Sequence, residues 1–220
     1  MKMILITIIV FTLLSCKNSN NPLCADAVYI KETPICIAEP NELKEVSNDQ
    51  SFSTFVNQFV SADNNIIAFY VDNETEPNSL DSNKNYALIY TNKNMEKDLS
   101  KSQFNQMSKT MGSYLNKPSN INSILKDLNT NYFDNITLGK PVVIDNYASN
   151  DNTNTYILLG KTMDNSGEII TLTTLNLIYI KEKMILSNYV IEYENRSSIE
   201  ELKLKNNNFI SSLFKSNIKE

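Results

Sequence analysis

Two neighbouring segments in the second half of the chain decide the fold class: EIITLTTLNLIYI, residues 168–180, and MILSNYVIEY, residues 184–193. Both are rich in β-branched and aromatic residues, which pack well on a pleated sheet, so we predict two long strands. The short Lys181-Glu182-Lys183 connection predicts a tight antiparallel hairpin between them. Apolar side chains occupy both odd and even positions of the first strand, so we expect helices to cover both faces of the sheet.

Four further strands are predicted upstream of this hairpin. Residues 141–147 and 155–162 extend the antiparallel meander. The Asp164-Asn165-Ser166-Gly167 segment that follows them is a hairpin signal, in which Gly167 takes the positive φ angle. Residues 65–71 and 85–91 are also extended segments, with Ile, Tyr and Phe side chains. The sequence therefore predicts an antiparallel sheet of about six strands.

Helical periodicity predicts the helices that pack on this sheet. Apolar residues recur three and four positions apart in residues 52–60, 99–115 and 119–128. Asp49 or Ser51 is placed to cap the first of these helices. Each of the three segments therefore predicts an amphipathic helix with one apolar face toward the sheet.

A final helix is predicted to begin at Ser197 or Ser198. Each serine has a glutamate three residues later, Glu200 and Glu201, which is the spacing of a capping box. The inner face of this helix consists of five apolar residues: Ile199, Leu202, Phe209, Ile210 and Leu213. Residues 51–217 are therefore predicted to form a single α+β domain.

The order of these elements (helix, two strands, helices, four antiparallel strands, helix) resembles the Mog1/PsbP-like α/β/α sandwich. DcrB-like bacterial lipoproteins are a group that uses this fold. The local sequence Leu138-Gly139-Lys140-Pro141 at the start of the meander is part of the resemblance, which otherwise rests on element order. It implies an antiparallel sheet with helices packed on its faces. Because the group consists mostly of non-enzymatic envelope or assembly proteins, the resemblance also implies a non-enzymatic role.

The first fifteen residues read MKMILITIIVFTLLS, a lysine followed by an apolar run, as in a secretory signal peptide. As a helix, residues 4–14 would span about 16 Å, half the hydrocarbon core of a bilayer. The run ends in Leu13-Leu14-Ser15-Cys16, which resembles the lipobox of bacterial lipoproteins. That resemblance implies cleavage after Ser15, diacylglycerol on the Cys16 sulfur and acylation of the new amino terminus. An ordinary signal peptide with an incidental cysteine is the alternative.

Residues 16–50 predict a tether between the lipid and the domain, because they contain several prolines and no sustained periodicity. Residues 28–30 and 35–38 are short extended pieces within it. Lys17 follows the lipid-bearing cysteine, where an Asp in enteric lipoproteins resembles an inner-membrane retention signal, so Lys17 favours the outer membrane. Cys24 and Cys36 form the remaining pair, and outside the cytoplasm a disulfide is expected rather than two free thiols.

Composition excludes several functional classes. The chain has no histidine, which removes Ser-His-Asp triads, Cys-His pairs and histidine metal ligands. Four glycines leave no glycine-rich loop for binding phosphate. A net charge of −5 argues against nucleic acid as a partner. We therefore expect no cofactor and no metal site, and a protein that acts by contact.

Three arrangements of polar residues have a structural explanation that we prefer to a catalytic or metal-binding one. A Ser-x-x-Lys spacing occurs at residues 123–126 and 212–215, as in penicillin-binding enzymes, but the companion motifs are missing. Glu192 and Glu194 lie on one strand, whereas glycosidase carboxylates face each other across a cleft. Residues 145–155 offer oxygen ligands for Ca²⁺ but lack the glycine and terminal glutamate of an EF-hand loop.

The candidate binding residues are the tyrosines of the meander: Tyr156, Tyr179, Tyr189 and Tyr193. Those with outward rings would line a ligand groove or a partner surface. We expect a lipid-anchored, non-catalytic protein of the bacterial envelope that binds a protein partner or an envelope component. A small-molecule or lipid-binding module with an apolar pocket under the helices is the alternative, and a carboxylate-dependent hydrolase of envelope polymers is a weaker one.

Overall fold

Within the described residues, seven antiparallel strands form the sheet, and all six strands predicted from the sequence are among them. The structure, a computed structural model, describes residues 24, 26–38, 40–77, 85–115, 140–164 and 167–218. The strands are β3 (Leu43–Glu45), β4 (Asn64–Asp72), β5 (Asn85–Asn92), β6 (Val142–Asn150), β7 (Thr153–Asp164), β8 (Gly167–Ile180) and β9 (Lys183–Glu192). Their order across the sheet is β3-β4-β5-β9-β8-β7-β6. The predicted α+β class with an antiparallel sheet is confirmed.

A separate two-stranded hairpin consists of β1 (Ala27–Ile30) and β2 (Thr33–Cys36). Its inward residues Ile30 and Ile35 are buried in the same core as the sheet, and so is Leu43 of β3. The folded part of the chain therefore begins before residue 51, and the predicted tether over residues 16–50 is too long. Burial of these apolar side chains stabilises the hairpin as part of the domain, although the hairpin sequence is too short to show a clear periodicity.

Three helices of the described ranges pack on the sheet: α1 (Ser53–Asn57), α2 (Lys101–Leu115) and α3 (Ser197–Asn217). The first is shorter than predicted, because the chain turns toward β4 after Asn57, and Val60 is 55% exposed instead of buried. Asp49 caps the preceding 3₁₀ turn, accepting a hydrogen bond from the Ser51 N–H. The helix predicted over residues 119–128 lies outside the described residues. None of the described helices is both long and apolar enough to cross a membrane.

The amino terminus of α3 differs from the predicted capping boxes. The Asn195 side chain accepts a hydrogen bond from the Ser197 N–H at 2.8 Å. Ser198 is buried, and its hydroxyl accepts from the backbone N–H groups of Glu194 and Asn195. The N-cap position is Arg196, which makes no capping hydrogen bond with its side chain, so the predicted serine capping boxes are wrong. The Ser197 N–H is satisfied instead by the Asn195 side chain, one residue before the N-cap. The predicted inner face of this helix is confirmed, since all five of its apolar residues are buried.

Alternation along the strands divides the core between two faces of the sheet. The α3 face is covered by α3 and the β1–β2 hairpin, and α3 packs on β8 and β9. The opposite α2 face carries α2 around Phe104, and α1 around Phe55 and Phe69. Both faces are therefore covered by helices, as the sequence predicts.

Two tight turns join the three long strands β7, β8 and β9. Gly167 has the predicted positive φ, 125°. Between β8 and β9 the turn residues Lys181 and Glu182 have φ angles of 49° and 63°, which is the left-handed region that glycine and asparagine prefer. The predicted tight hairpin is confirmed, but with two residues that are strained in it.

Candidate functional site

A cleft of about 610 Å³ opens on the α3 face, between the carboxyl-terminal half of α3 and residues 40–43, which lead into β3. We call it the α3 cleft. Tyr189 and Phe209 form its floor, and Asn208, Ser212 and Lys215 are among the residues on its helical wall. Glu42 lies on the opposite wall. The cleft thus offers an aromatic floor between two polar walls.

The helical wall follows from spacing along α3. Lys205, Asn208, Ser212 and Lys215 are three or four positions apart, so they form one strip along the helix. This strip borders the apolar face that carries Phe209. Any amphipathic helix on a protein surface has such a polar strip beside its apolar face. The sequence alone therefore does not distinguish the wall of a cleft from an ordinary helix surface.

The floor of the α3 cleft is rigid and remains uncharged. Tyr189 is buried, with its ring edge-on to Phe209 at a centroid distance of 5.9 Å. Phe209 packs in the same way against Tyr70 at 5.2 Å. Burial raises the pKa of Tyr189 well above its ordinary value, and the acidic groups of Glu42, Asp72 and Glu201 raise it further. The Tyr189 hydroxyl therefore stays protonated at physiological pH.

Charges of both signs surround the α3 cleft. The Lys205 ammonium is paired with the Glu201 carboxylate at 2.9 Å, one turn earlier on α3. Lys215 lies in the last turn of α3, where a cation interacts favourably with the helix dipole. The carboxylate of Glu42 stands across the opening. With these groups the cleft can hold a polar ligand by ion pairs and hydrogen bonds.

A buried network of polar side chains fixes α3 on the sheet. Asn206 of α3 accepts hydrogen bonds from the Thr174 hydroxyl at 2.9 Å and from the Asn176 amide at 2.8 Å. The Asn176 amide also donates to the Ser187 hydroxyl at 3.0 Å, and its oxygen accepts from Thr155 at 2.7 Å. All five residues are essentially inaccessible to solvent. Because each hydrogen bond has a fixed direction, the network sets the position of the helix above β8.

A second contact fixes the carboxyl end of α3. The buried Asn217 side chain accepts a hydrogen bond from the Cys36 N–H at 2.8 Å and donates to the Cys36 carbonyl at 2.9 Å. Cys36 is joined to Cys24 by the predicted disulfide, with a Cα–Cα distance of 5.8 Å. The start of the described chain, β2 and the end of α3 therefore meet at one point beside the α3 cleft.

The four tyrosines predicted from the sequence do not share one surface. Tyr189 and Tyr193 lie on the α3 face, and both are buried. Tyr156 and Tyr179 lie on the α2 face, where their hydroxyls donate to the carbonyls of Ser108 and Leu99. Of the four, Tyr189 alone is among the residues that line the α3 cleft. Strand register, which a single sequence does not reveal, determines the face on which each ring lies.

The other residues that the sequence offered for catalysis or metal binding do not form a second site within the described residues. Asp145, the first residue of the polar segment 145–155, is paired with Lys203 at 2.9 Å. Glu192 ends β9, and Glu194 is exposed beyond it. No group of three or more Cys, Asp or Glu side chains that could hold a metal ion occurs within the described ranges. Both Ser212 and Lys215 of the second Ser-x-x-Lys spacing line the α3 cleft. Cys16 and residues 123–126 lie outside the described residues.

The chain has little similarity to known proteins. No protein-family model matches it, and no curated protein sequence matches it significantly. Among solved structures it is similar to the Saccharomyces cerevisiae Ran-binding protein Mog1p, with a TM-score of 0.34, 9% identity, and coverage of 81% of this chain and 84% of that chain. A single-residue mutant of Mog1 gives the same TM-score and coverage at 10% identity. A similarity with so low a TM-score supports no conclusion about function.

Proposed function

We propose that this protein is a lipid-anchored, non-catalytic binding protein of the bacterial envelope, which holds a protein partner or an envelope component in the α3 cleft. The anchor is the lipid predicted on Cys16, and Lys17 favours the outer membrane as its location. The observation that carries the proposal is the α3 cleft itself. Its volume of about 610 Å³ is within the range of roughly 300–1,000 Å³ that is usual for ligand sites.

The cleft is suited to binding because its walls are fixed before a ligand arrives. The Asn206 network holds the middle of α3, and the Asn217 contact with Cys36 holds its end. Residues 40–43 continue directly into β3, which pairs with β4. A preformed site loses little conformational entropy when a ligand binds, so modest contacts suffice for affinity.

The length of the tether restricts where the ligand is found. Eight residue steps lead from Cys16 to Cys24, the first residue that is covalently held to the folded domain. At about 3.6 Å per residue, this segment reaches roughly 29 Å at most. A lipid on Cys16 therefore keeps the domain within that distance of the bilayer surface, so the component that it binds belongs to the same membrane or to its immediate surroundings.

The anchor is tested by metabolic labelling with a palmitate analogue, combined with flotation of membranes. We expect the full chain to be labelled and to float, and Cys16→Ser to lose both properties. Cys24→Ser is the matched control, because it removes a cysteine near the same terminus and leaves the lipobox intact. Label on Cys16→Ser, or an unlabelled wild-type chain, would contradict the anchor.

The binding site is tested with a photoreactive benzoylphenylalanine in the full chain, irradiated in native envelopes. Ser211 lines the α3 cleft, whereas Leu204 on the same helix is 63% exposed and does not line it. We expect a discrete crosslinked product from position 211 that is absent from position 204. Adding Asn208→Trp, which fills the cleft, should remove that product. Identical products from both positions, or persistence after the cleft is filled, would reject the α3 cleft as the site.

A further inference from the structure

Two exposed apolar side chains lie where the tether joins the domain. Tyr29 on the β1–β2 hairpin is 54% exposed, and Ile218 at the end of α3 is 52% exposed. Cys36, which pairs across the hairpin with Ala27, is held by the disulfide to Cys24 and by hydrogen bonds to Asn217. Ile218 directly follows Asn217, whose side chain is hydrogen-bonded to the Cys36 backbone, so the backbone of Ile218 lies close to the disulfide.

The hairpin places Tyr29 on the same side as the disulfide. Ala27 pairs with Cys36 and Tyr29 pairs with Pro34, so these four side chains share one face of the hairpin. The other face carries Ile30 and Ile35 into the core. Tyr29 is two residues from Ala27, about 7 Å along the strand. The hairpin therefore presents an exposed aromatic ring one pair of residues along from Cys36, to which the disulfide holds the end of the tether.

Charges around this patch nearly cancel. Lys31 in the hairpin turn and Lys215 in the last turn of α3 are exposed, and so are the acidic Asp26 and Glu32. Lys181 is half-buried, and its ammonium donates to the Pro34 carbonyl of the hairpin. A patch without excess charge gains little from anionic lipids. Tyrosine side chains are instead enriched at the interface between lipid headgroups and acyl chains, where an aliphatic side chain can insert beside them.

We propose that the tether-exit patch, formed by Tyr29 and Ile218 beside the Cys24–Cys36 disulfide, rests on the lipid headgroup region of the bilayer. The inference relies on the Cys16 anchor of the proposed function. A random coil of eight residue steps would have a root-mean-square length of about 16 Å, so the anchor would hold the patch at high effective concentration near the surface. Two apolar side chains then suffice for a contact that would be too weak for a free domain.

This contact fixes the orientation of the domain. With the hairpin and the end of α3 against the membrane, the body of α2 lies on the opposite face of the sheet. The start of α2 is nearer to the hairpin, because the Leu99 N–H donates to the carbonyl of Glu182, next to the Lys181 that donates to Pro34. The α3 cleft, whose wall includes Lys215 and Ser216 near the same end of α3, then opens close to the surface. A ligand would meet the cleft from the side, along the plane of the bilayer.

The absence of tryptophan from the sequence allows a direct test. The full lipidated chain with Tyr29→Trp is reconstituted in phosphatidylcholine vesicles, with or without lipids brominated on the acyl carbons nearest the headgroup. We expect bromine to quench the indole fluorescence of Y29W several-fold more than that of the matched variant Y114W. Tyr114 is 75% exposed on α2, on the opposite side of the domain. An I218W variant provides a second reporter within the patch.

Each outcome decides the question. Quenching of Y29W and I218W but not Y114W supports the contact, and little change in quenching between about 50 and 500 mM salt supports its apolar nature. Equal or absent quenching in all three variants overturns the contact, provided that the vesicles carry the protein on flotation. Failure of every variant to float instead rejects the anchor, so the two proposals fail in different ways. Circular dichroism checks that each variant is folded.

Discussion

At the scale of single residues, the most consequential feature is the asparagine pair under α3. Asn176 and Asn206 lie within an apolar core, where an unpaired amide would cost several kcal/mol. The two amides bond to each other and to the Thr174 hydroxyl, and Asn176 also donates to the Ser187 hydroxyl. The hydrogen bonds remove the cost of burying the two amides and also fix the position of α3 on the sheet. Apolar side chains at these positions would allow α3 to shift along the sheet, whereas directional hydrogen bonds do not.

Replacing Asn206 with alanine should therefore lower the free energy of unfolding by about 3 kcal/mol. The loss combines a small cavity with a Thr174 hydroxyl that has lost its acceptor, whereas the Asn176 amide keeps its hydrogen bonds to Ser187. Urea denaturation measures it, and Asn208→Ala, an exposed change two positions along the same helix, should cost less than about 0.5 kcal/mol. Equal effects of the two changes would mean that the network does not hold α3.

Two tyrosines on the α2 face make stability depend on pH at the alkaline end. Burial raises the pKa of both Tyr86 and Tyr90 to about 12. Above about pH 10 the unfolded chain releases phenol protons that the folded protein retains, so stability is intact below that pH and is lost as the pH rises toward 12. Each tyrosine contributes a slope of about 1.4 kcal/mol per pH unit in that window.

Tyr90→Phe should therefore make the alkaline loss of stability shallower by about 1.4 kcal/mol per pH unit. Chemical denaturation at half-unit steps from about pH 7 to 11.5 measures the profile. Between about pH 7 and 9 the variant and the wild-type curves should run parallel, which is the internal control. An unchanged slope at higher pH would show that Tyr90 ionises as readily in the folded protein as in the unfolded chain.

At the scale of elements, the β8–β9 hairpin combines long strands with a strained turn. Its strands pair over ten residue pairs, from Thr171 with Glu192 to Ile180 with Lys183. Glu182 nevertheless takes a left-handed φ of 63°, at a cost of about 1–2 kcal/mol for a residue other than glycine. Its carbonyl accepts a hydrogen bond from the Leu99 N–H, which ties the turn to the start of α2. That backbone contact does not depend on the side chain.

Glu182→Gly should consequently stabilise the protein by about 1 kcal/mol and raise the melting temperature by about 2–4 °C. Differential scanning calorimetry measures the shift. The same change in an extended strand, Glu168→Gly in β8, should lower the melting temperature, because glycine weakens a strand interior and the Lys161 ion pair is lost. A lower melting temperature for Glu182→Gly would contradict the assignment of strain to this turn.

At the scale of the whole molecule, hydrogen bonds of the β1–β2 hairpin join parts that are far apart in the sequence. Cys36 hydrogen-bonds to Asn217, 181 residues later, and Lys181 donates to the carbonyl of Pro34. The amino-terminal hairpin is therefore held by the last helix and by the β8–β9 turn at once. The bridge to Cys24 ties the start of the described chain to this hairpin, so the proposed anchor on Cys16 would be attached to the domain at this point.

Replacing both Cys24 and Cys36 by alanine should destabilise the domain by about 3 kcal/mol, the loop-closure value for a bridge spanning 12 residues. Thermal unfolding with and without dithiothreitol measures the effect. The reductant should lower the melting temperature of the wild-type protein and leave the double variant unchanged. A wild-type protein that does not respond to complete reduction, verified by thiol titration, would contradict a stabilising bridge.

The sequence predicts most of the sheet, because strand formation depends on local composition and on turns that are encoded nearby. Gly167 and the short 181–183 connection define two hairpins without any information from elsewhere in the chain. The strand β3 has three residues and too little pattern to be recognised. The amphipathic stripe of residues 52–60 likewise predicted too long a helix, since the turn toward β4 is a tertiary requirement.

The candidate site could not be predicted from the sequence. Of the four tyrosines proposed as a binding surface, the fold keeps one in the α3 cleft and places two on the opposite face. Predicting this outcome would require the register of each strand and the position of α3. Both depend on buried contacts such as the Asn206 network, which links residues as far as 32 positions apart.

By itself, the sequence determined the α+β class, the order of the long strands along the chain, the inner face of the last helix and the pairing of two cysteines. These follow from periodicities and spacings within a few dozen residues, where the backbone leaves few choices. The α3 cleft was decided by the tertiary structure alone, because residues 40–43, Tyr189 and α3 meet only after the sheet has formed and the helix has settled on it. Side chains distant in sequence become neighbours through burial, which no local pattern records.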